Sequence, residues 1–164
     1  MGRWGCGRGP GGSACRSDGA VIYLDTSCLL KLLLEEPESH AVREAVAREP
    51  EVIVSSLAEL ETIVQLKAGW LGGTYGERRY RAYMRQIDEF RALEPFRFVP
   101  LPGRVFETAI SQQRAPRAAQ CRSLDRLHLA AMEELAVRRL ATNDDAQAVG
   151  AKALGFDVVK PGRR

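Results

Sequence analysis

At 164 residues, 45% of them hydrophobic and 27% charged, the chain suits one globular domain with a substantial core. No apolar run approaches the roughly 18–20 residues needed to span a bilayer, which argues against a membrane protein. The formal charge of +3 is concentrated at the start, where Arg3, Arg8 and Arg16 face only Asp18, so net charge gives little support for a polyanion partner.

Residues 1–20 are rich in Gly, with no apolar period and no signal-peptide core. They are expected to form a disordered leader, with the folded domain over residues 21–161. Translation from Val21, through a valine initiator codon, would account for such a leader. Cys6 and Cys15 lie in it, leaving Cys28 and Cys121 in the body; the absence of a C-x-x-C pair predicts no zinc site and no disulfide framework. Reduced thiols in a cytoplasmic protein are the expectation.

The body then alternates short apolar runs with helical patterns. Val21–Leu24 reads as a buried strand, Cys28–Leu34 as a helix ended by Glu36-Pro37, Ser39–Arg48 as a helix and Val52–Val54 as a strand. Leu57–Trp70 is a predicted helix stopped by Gly72-Gly73. Tyr75–Ala92 is a long amphipathic helix with Tyr80, Tyr83, Met84, Ile87 and Phe90 on one face. Phe96–Val99 reads as a strand, Arg104–Arg114 and Leu124–Val137 as helices, Leu140–Ala141 as a strand, Asp145–Leu154 as a helix and Phe156–Val159 as a final strand. This alternation predicts an α/β fold with a mostly parallel sheet covered on both faces. In such sheets ligands bind beyond the carboxyl ends of the strands.

Four acids are placed to meet at that end. Asp25 follows the first strand in VIYLDTSCLL, where capping the next helix is an equal alternative. In VSSLAELETIVQL, Ser56 and Glu59 fit a capping box. Glu61 instead falls beside Leu57, Val64 and Ala68 on a wheel of about 100° per residue. An acid against an apolar face is costly unless a cation or donor meets it, although a glutamate can also snorkel to solvent. Asp125 opens SLDRLHLAAMEEL, with Ser123 as a plausible cap and the helix dipole as the plain reason for an acid there. His128, one turn on, reads as a hydrogen-bonded packing residue. Asp144, in ATNDDAQAV, repeats the logic of Asp25, with Thr142 and Asn143 adding contacts and Asp145 as the expected helix cap. Clustered carboxylates raise one another's pKa unless a cation is present, and an oxygen-only donor set suits Mg²⁺ or Mn²⁺.

The segments LDTS, SSLAELE, SLDRLHLA and ATNDD…GFDVVKP, in that order, resemble the PIN-domain nucleases, and among them the bacterial VapC-type toxins. The resemblance covers Val21 to Pro161. It implies a three-layer α/β/α sandwich with a central mostly parallel sheet, and a Mg²⁺- or Mn²⁺-dependent endoribonuclease leaving 5′-phosphate and 3′-hydroxyl ends. It carries the acidic quartet to Asp25, Glu61, Asp125 and Asp144, with Thr26, Ser27 and Asn143 in support. It also implies a homodimer and a VapB-type antitoxin docking near the helix of Tyr80 and Phe90. Two departures stand out: the Gly-rich leader, and Ala58 where the pattern commonly has Thr.

Arg114, Arg117 and Arg122 precede Asp125 and are the first candidates for RNA phosphate contacts, with Arg78, Arg79, Arg81 and Arg85 second. The main competing expectation is a catalytically silent PIN-like scaffold binding RNA or protein. A phosphatase using Asp25 as nucleophile expects a second acid where this chain has Ser27, and a Cys28 nucleophile lacks a nearby partner His.

Overall fold

The computed structural model describes residues 21–115 and 119–162. The leader and Arg117 lie outside the described residues. Five strands, β1 (Val21–Leu24), β2 (Glu51–Ser55), β3 (Phe96–Val99), β4 (Arg139–Ala141) and β5 (Asp157–Val159), form one sheet in the order β3-β2-β1-β4-β5. Every pairing is parallel. The helices are α1 (Thr26–Leu33), α2 (Ser39–Ala47), α3 (Ser56–Leu71), α4 (Glu77–Ala92), α5 (Val105–Arg114), α6 (Ser123–Glu134) and α7 (Asp145–Ala153). The sheet is parallel throughout and helices cover both faces, as expected.

The two-residue period of a strand divides the core. Ile22, Leu24, Val52, Val54 and Ala141 face Cys28, Leu29 and Leu32 of α1 and Val42 and Val46 of α2. Tyr23, Ile53 and Leu140 face the other way, toward Val105 and Ala109 of α5, Leu127 and Ala131 of α6 and Ala151 of α7. Central strands buried on both faces must be apolar at successive positions, which explains the continuous runs in the sequence.

The amphipathic face of α4 serves the domain itself. Tyr83 and Ile87 are buried against Leu30 and Leu33 of α1 and Leu66 of α3, with Tyr80, Met84 and Phe90 packed around them. No helix among the described residues is long and apolar enough to cross a membrane.

Three local expectations are corrected. Ser55 rather than Ser56 caps α3, its Oγ accepting from Ala58 N–H at 3.2 Å. Ser56 Oγ instead accepts from Leu101 N–H at 3.0 Å, tying α3 to the segment after β3. Asp144 rather than Asp145 caps α7, while Asp145 pairs with Lys160. Arg122 rather than Ser123 occupies the cap position of α6.

Candidate active site

β1 and β4 are neighbours in the sheet although β2 and β3 separate them in sequence. A topological switch of this kind opens a crevice beyond the carboxyl ends of the two strands. Leu24 and Ala141 are register partners, so the residues that follow them enter the crevice together.

Asp25 is 2% exposed. Its Oδ1 accepts from Cys28 N–H at 2.9 Å, capping α1, and from Ser27 Oγ at 2.8 Å. Its Oδ2 accepts from Thr142 Oγ1. Burial pushes the carboxyl pKa up, and these bonds, with the nearby His128, only partly oppose that. Capping and a role in the site are therefore compatible, because the cap uses one oxygen and neutral donors only.

Ser27 and Thr142 bolt the two strand ends together. Ser27 Oγ donates to Asp25 and accepts from Asn143 N–H at 2.9 Å. Thr142 Oγ1 donates to Asp25 and accepts from Asp144 N–H at 3.0 Å. Asp144 Oδ1 in turn takes Ala146 N–H at 2.8 Å and Gln147 N–H at 3.0 Å. The amide oxygen and nitrogen of Asn143 are enclosed with no partner among the described residues.

Asp125, in the first turn of α6, accepts from Arg122 N–H through Oδ2 at 3.2 Å. Its pKa is raised, chiefly by burial and further by the charge of Asp144. Glu61 stands apart in chemistry. Its Oε2 accepts from Thr26 Oγ1 at 2.6 Å and meets His128 Nε2 at 2.7 Å. Burial would raise its pKa, but the hydrogen bonds from His128 and Thr26 outweigh it and hold the carboxyl below its ordinary value. The face carrying Glu61 also differs from expectation. Val64 is 57% exposed, and the buried residues of α3 are Leu57, Ala58, Thr62 and Leu66. Apolar residues surround α3 on several sides, so the wheel picks the wrong core stripe.

His128 is buried. Its Nδ1 lies 2.8 Å from the Tyr23 hydroxyl. Sequence reasoning gave this histidine a packing role and passed over Tyr23; the available signal was its position one turn after Asp125. Among the supporting residues, Thr26 meets Glu61, Ser27 meets Asp25, and Asn143 lies between Ser27 and Asp144.

The fit to a hard dication is mixed. For it stand an oxygen-only donor set, a deeply buried Asp25 with no Lys or Arg partner among the described residues, and the mutual repulsion of Asp125 and Asp144. Against a preformed cage, no three His, Cys, Asp or Glu side chains among the described residues stand close enough to grip one ion. Glu61 already has two donors, so only its Oε1 is left uncommitted.

Of the basic candidates, Arg114 ends α5 and Arg122 starts α6, both exposed. Arg126, by contrast, is buried and braces the loop through Ala119 O at 2.6 Å. Arg78 and Arg85 line a shallow surface concavity along α4 together with Arg81, which pairs with Glu77.

A parallel five-stranded sheet with acids gathered at its switch point defines a class. The PIN domain family model matches residues 22–152, and the chain belongs to that family. Within it, the chain is 31% identical over 144 residues to ribonuclease VapC46 of Mycobacterium tuberculosis, covering 87% of this chain and 98% of that relative. Ribonuclease VapC47 from the same species is 28% identical over 149 residues. Among solved structures, M. tuberculosis VapC20 superposes with a TM-score of 0.62 at 20% identity, covering 85% of this chain and 99% of that one. The FitAcB structure from Neisseria gonorrhoeae gives 0.63 at 15% identity, covering 87% and 99%. At these identities the solved structures speak for the fold alone.

Proposed function

We propose that this chain is a metal-dependent endoribonuclease, the toxin of a toxin–antitoxin pair, with its site built from Asp25, Glu61, Asp125 and Asp144. The observation that carries the reading is Asp25. It is a buried carboxylate at the topological switch point, fixed by neutral donors and lacking a basic partner among the described residues. An ion that completes this environment removes the cost of burying the charge. Asp125 and Asp144 repel one another for want of the same counter-charge.

Asp25, Asp125 and Asp144 would hold Mg²⁺ or Mn²⁺. Such an ion supplies a Lewis acid for the phosphoryl group and lowers the pKa of a water for in-line attack. Thr142 and Ser27 fix the Asp25 carboxylate and the backbone leading to Asp144. Thr26 and His128 hold Glu61 by its Oε2.

Purified protein is expected to cut structured RNA with Mn²⁺ or Mg²⁺, to leave 5′-phosphate and 3′-hydroxyl ends, and to stop in EDTA. Cleavage undiminished in EDTA would overturn the metal reading. A silent scaffold has one observation in its favour, the fully satisfied Oε2 of Glu61. Metal-independent RNA binding with no cleavage under any of these conditions would favour it.

Cations at the rim would bring RNA to a negative pocket. Arg114→Glu and Arg122→Glu are each expected to weaken RNA binding and to reduce the slope of log K against log salt by about one for each phosphate left unneutralised. An unchanged slope, measured by fluorescence anisotropy across a salt series, removes them from the interface.

A VapB-type antitoxin and a homodimer belong to the same reading. Leu60, Val64 and Leu71 of α3 and Phe106 and Ile110 of α5 are exposed and supply apolar surface for such partners.

A further inference from the structure

We propose that His128 is a positioning residue, the end of a directed hydrogen-bond chain that holds Glu61 by one carboxylate oxygen and so fixes the orientation of that carboxylate. The inference rests on the metal-nuclease reading above and assigns a role to Tyr23 and His128 that the acidic quartet does not include.

The direction of the chain follows from counting protons. Ser55 Oγ accepts from Ala58 N–H at the start of α3 and lies 2.5 Å from the Tyr23 hydroxyl. That hydroxyl lies 2.8 Å from His128 Nδ1, and His128 Nε2 lies 2.7 Å from Glu61 Oε2. An ionised carboxylate only accepts, so Nε2 carries the proton. Nδ1 of the neutral ring then accepts from Tyr23, and the Tyr23 oxygen accepts from Ser55. The order runs Ala58 N–H to Ser55, Ser55 to Tyr23, Tyr23 to His128, and His128 to Glu61. Thr26 Oγ1 donates to the same Glu61 oxygen at 2.6 Å, beside His128 Nε2. Each donor in the chain meets an acceptor. In a doubly protonated ring the order of Tyr23 and Ser55 reverses, and the Ser55 proton is left without a partner in the chain.

Burial makes the arrangement rigid. Ser55, Tyr23 and His128 are all buried, and the rings of Tyr23 and His128 meet edge to face with centroids 5.7 Å apart. Five elements contribute: β1 gives Tyr23, α1 Thr26, β2 Ser55, α3 Glu61 and α6 His128. A buried polar chain of this kind is stable only when complete, so it selects one rotamer of Glu61. Supporting bonds behind a metal-associated group typically affect affinity about 10–100-fold.

The first test needs no metal. Long-range proton–nitrogen correlation spectra of the wild-type chain in EDTA at pH 8 should show His128 protonated at Nε2 and bare at Nδ1. Tyr23→Phe should shift the Nδ1 resonance. The opposite tautomer, or protons on both nitrogens, would overturn the inference.

The second test is Mn²⁺ titration calorimetry. His128→Leu should weaken Mn²⁺ binding about 10–100-fold. His128→Gln should stay within about threefold of wild type, because the Gln amide nitrogen can replace Nε2 as donor to Glu61. The Glu61→Gln/His128→Leu double variant should bind no more weakly than Glu61→Gln alone. Equal weakening in the Gln and Leu variants would reduce His128 to a packing residue and refute the proposal. If Asp25→Asn loses Mn²⁺ while His128→Leu keeps it, only this inference fails. If Asp25→Asn keeps full affinity as well, the metal reading fails and takes the inference with it.

Discussion

Asp25→Asn is expected to lower RNA cleavage by about three orders of magnitude or more while raising the melting temperature of the metal-free protein. The first effect follows from removing a charged ligand whose ion is worth several kcal/mol to the transition state, at about 1.4 kcal/mol per decade. The second follows from desolvation. The folded-state pKa of Asp25 is raised, so the folded chain holds its proton more tightly than the unfolded chain does. Stability is therefore lost as pH rises from the ordinary carboxylate range through the raised value. Asparagine keeps the cap on α1, since it caps helices about as well as aspartate, and it carries no charge. In EDTA at neutral pH the variant should melt higher by about 2–8 °C, corresponding to roughly 1–2 kcal/mol in a domain of this size. The gap between the two proteins should narrow as pH falls through the raised folded-state value toward the ordinary carboxylate range, because protonation then removes the buried charge. Thermal melts at several pH values, with EDTA and then with Mn²⁺, check this. Mn²⁺ should stabilise wild type and leave the variant almost unchanged. A variant that melts below wild type in EDTA at every pH would contradict the account of Asp25 as a buried charge awaiting its ion.

Thr142→Val should produce the second-largest effect. The two side chains are nearly the same shape, so the substitution deletes a hydroxyl without opening a cavity. Thr142 is fully buried, and its Oγ1 both donates to Asp25 and accepts from Asp144 N–H. Valine leaves a buried carboxylate oxygen with one donor fewer and a backbone N–H with none, at a cost of about 1–3 kcal/mol. Divalent-ion affinity should fall about 10–100-fold, as for other groups that orient a ligand from behind. Thr142→Ser should recover most of both, since it restores the hydroxyl. Calorimetry with Mn²⁺ and denaturant melts on the pair measure the two effects separately. A valine variant that binds Mn²⁺ like wild type would remove Thr142 from the support of the site.

The elements of the fold were largely legible because their signals are local. Val21–Leu24 and Phe96–Val99 are read from sequence with the same limits the structure gives them. What failed were choices between adjacent residues of equal chemistry. Ser55 and Ser56 cap equally well by propensity, as do Asp144 and Asp145, and only the path of the chain selects one. The wheel puts Glu61 on a face of α3 that is not the core face, because Val64 and Ala68 are apolar yet exposed. The sequence marks Thr142 for contacts near Asp144 and His128 for hydrogen bonding, but their partners, and the role of Tyr23, are hidden for another reason. Each depends on contacts across β1, β4, α3 and α6, and no window of sequence contains both partners.

The clasp between Ser27 and Asn143, and between Asp25 and Thr142, has a consequence for the newborn protein. Its two halves are separated by 116 and 117 positions in the chain. A ribosome must therefore finish β4 before Asp25 gains the Thr142 hydroxyl or Asp144 its place beside it. Fragments released earlier carry the first acid without the last and have no assembled centre. A cell making this polypeptide meets the joined pair of strand ends only after β4 has been synthesised.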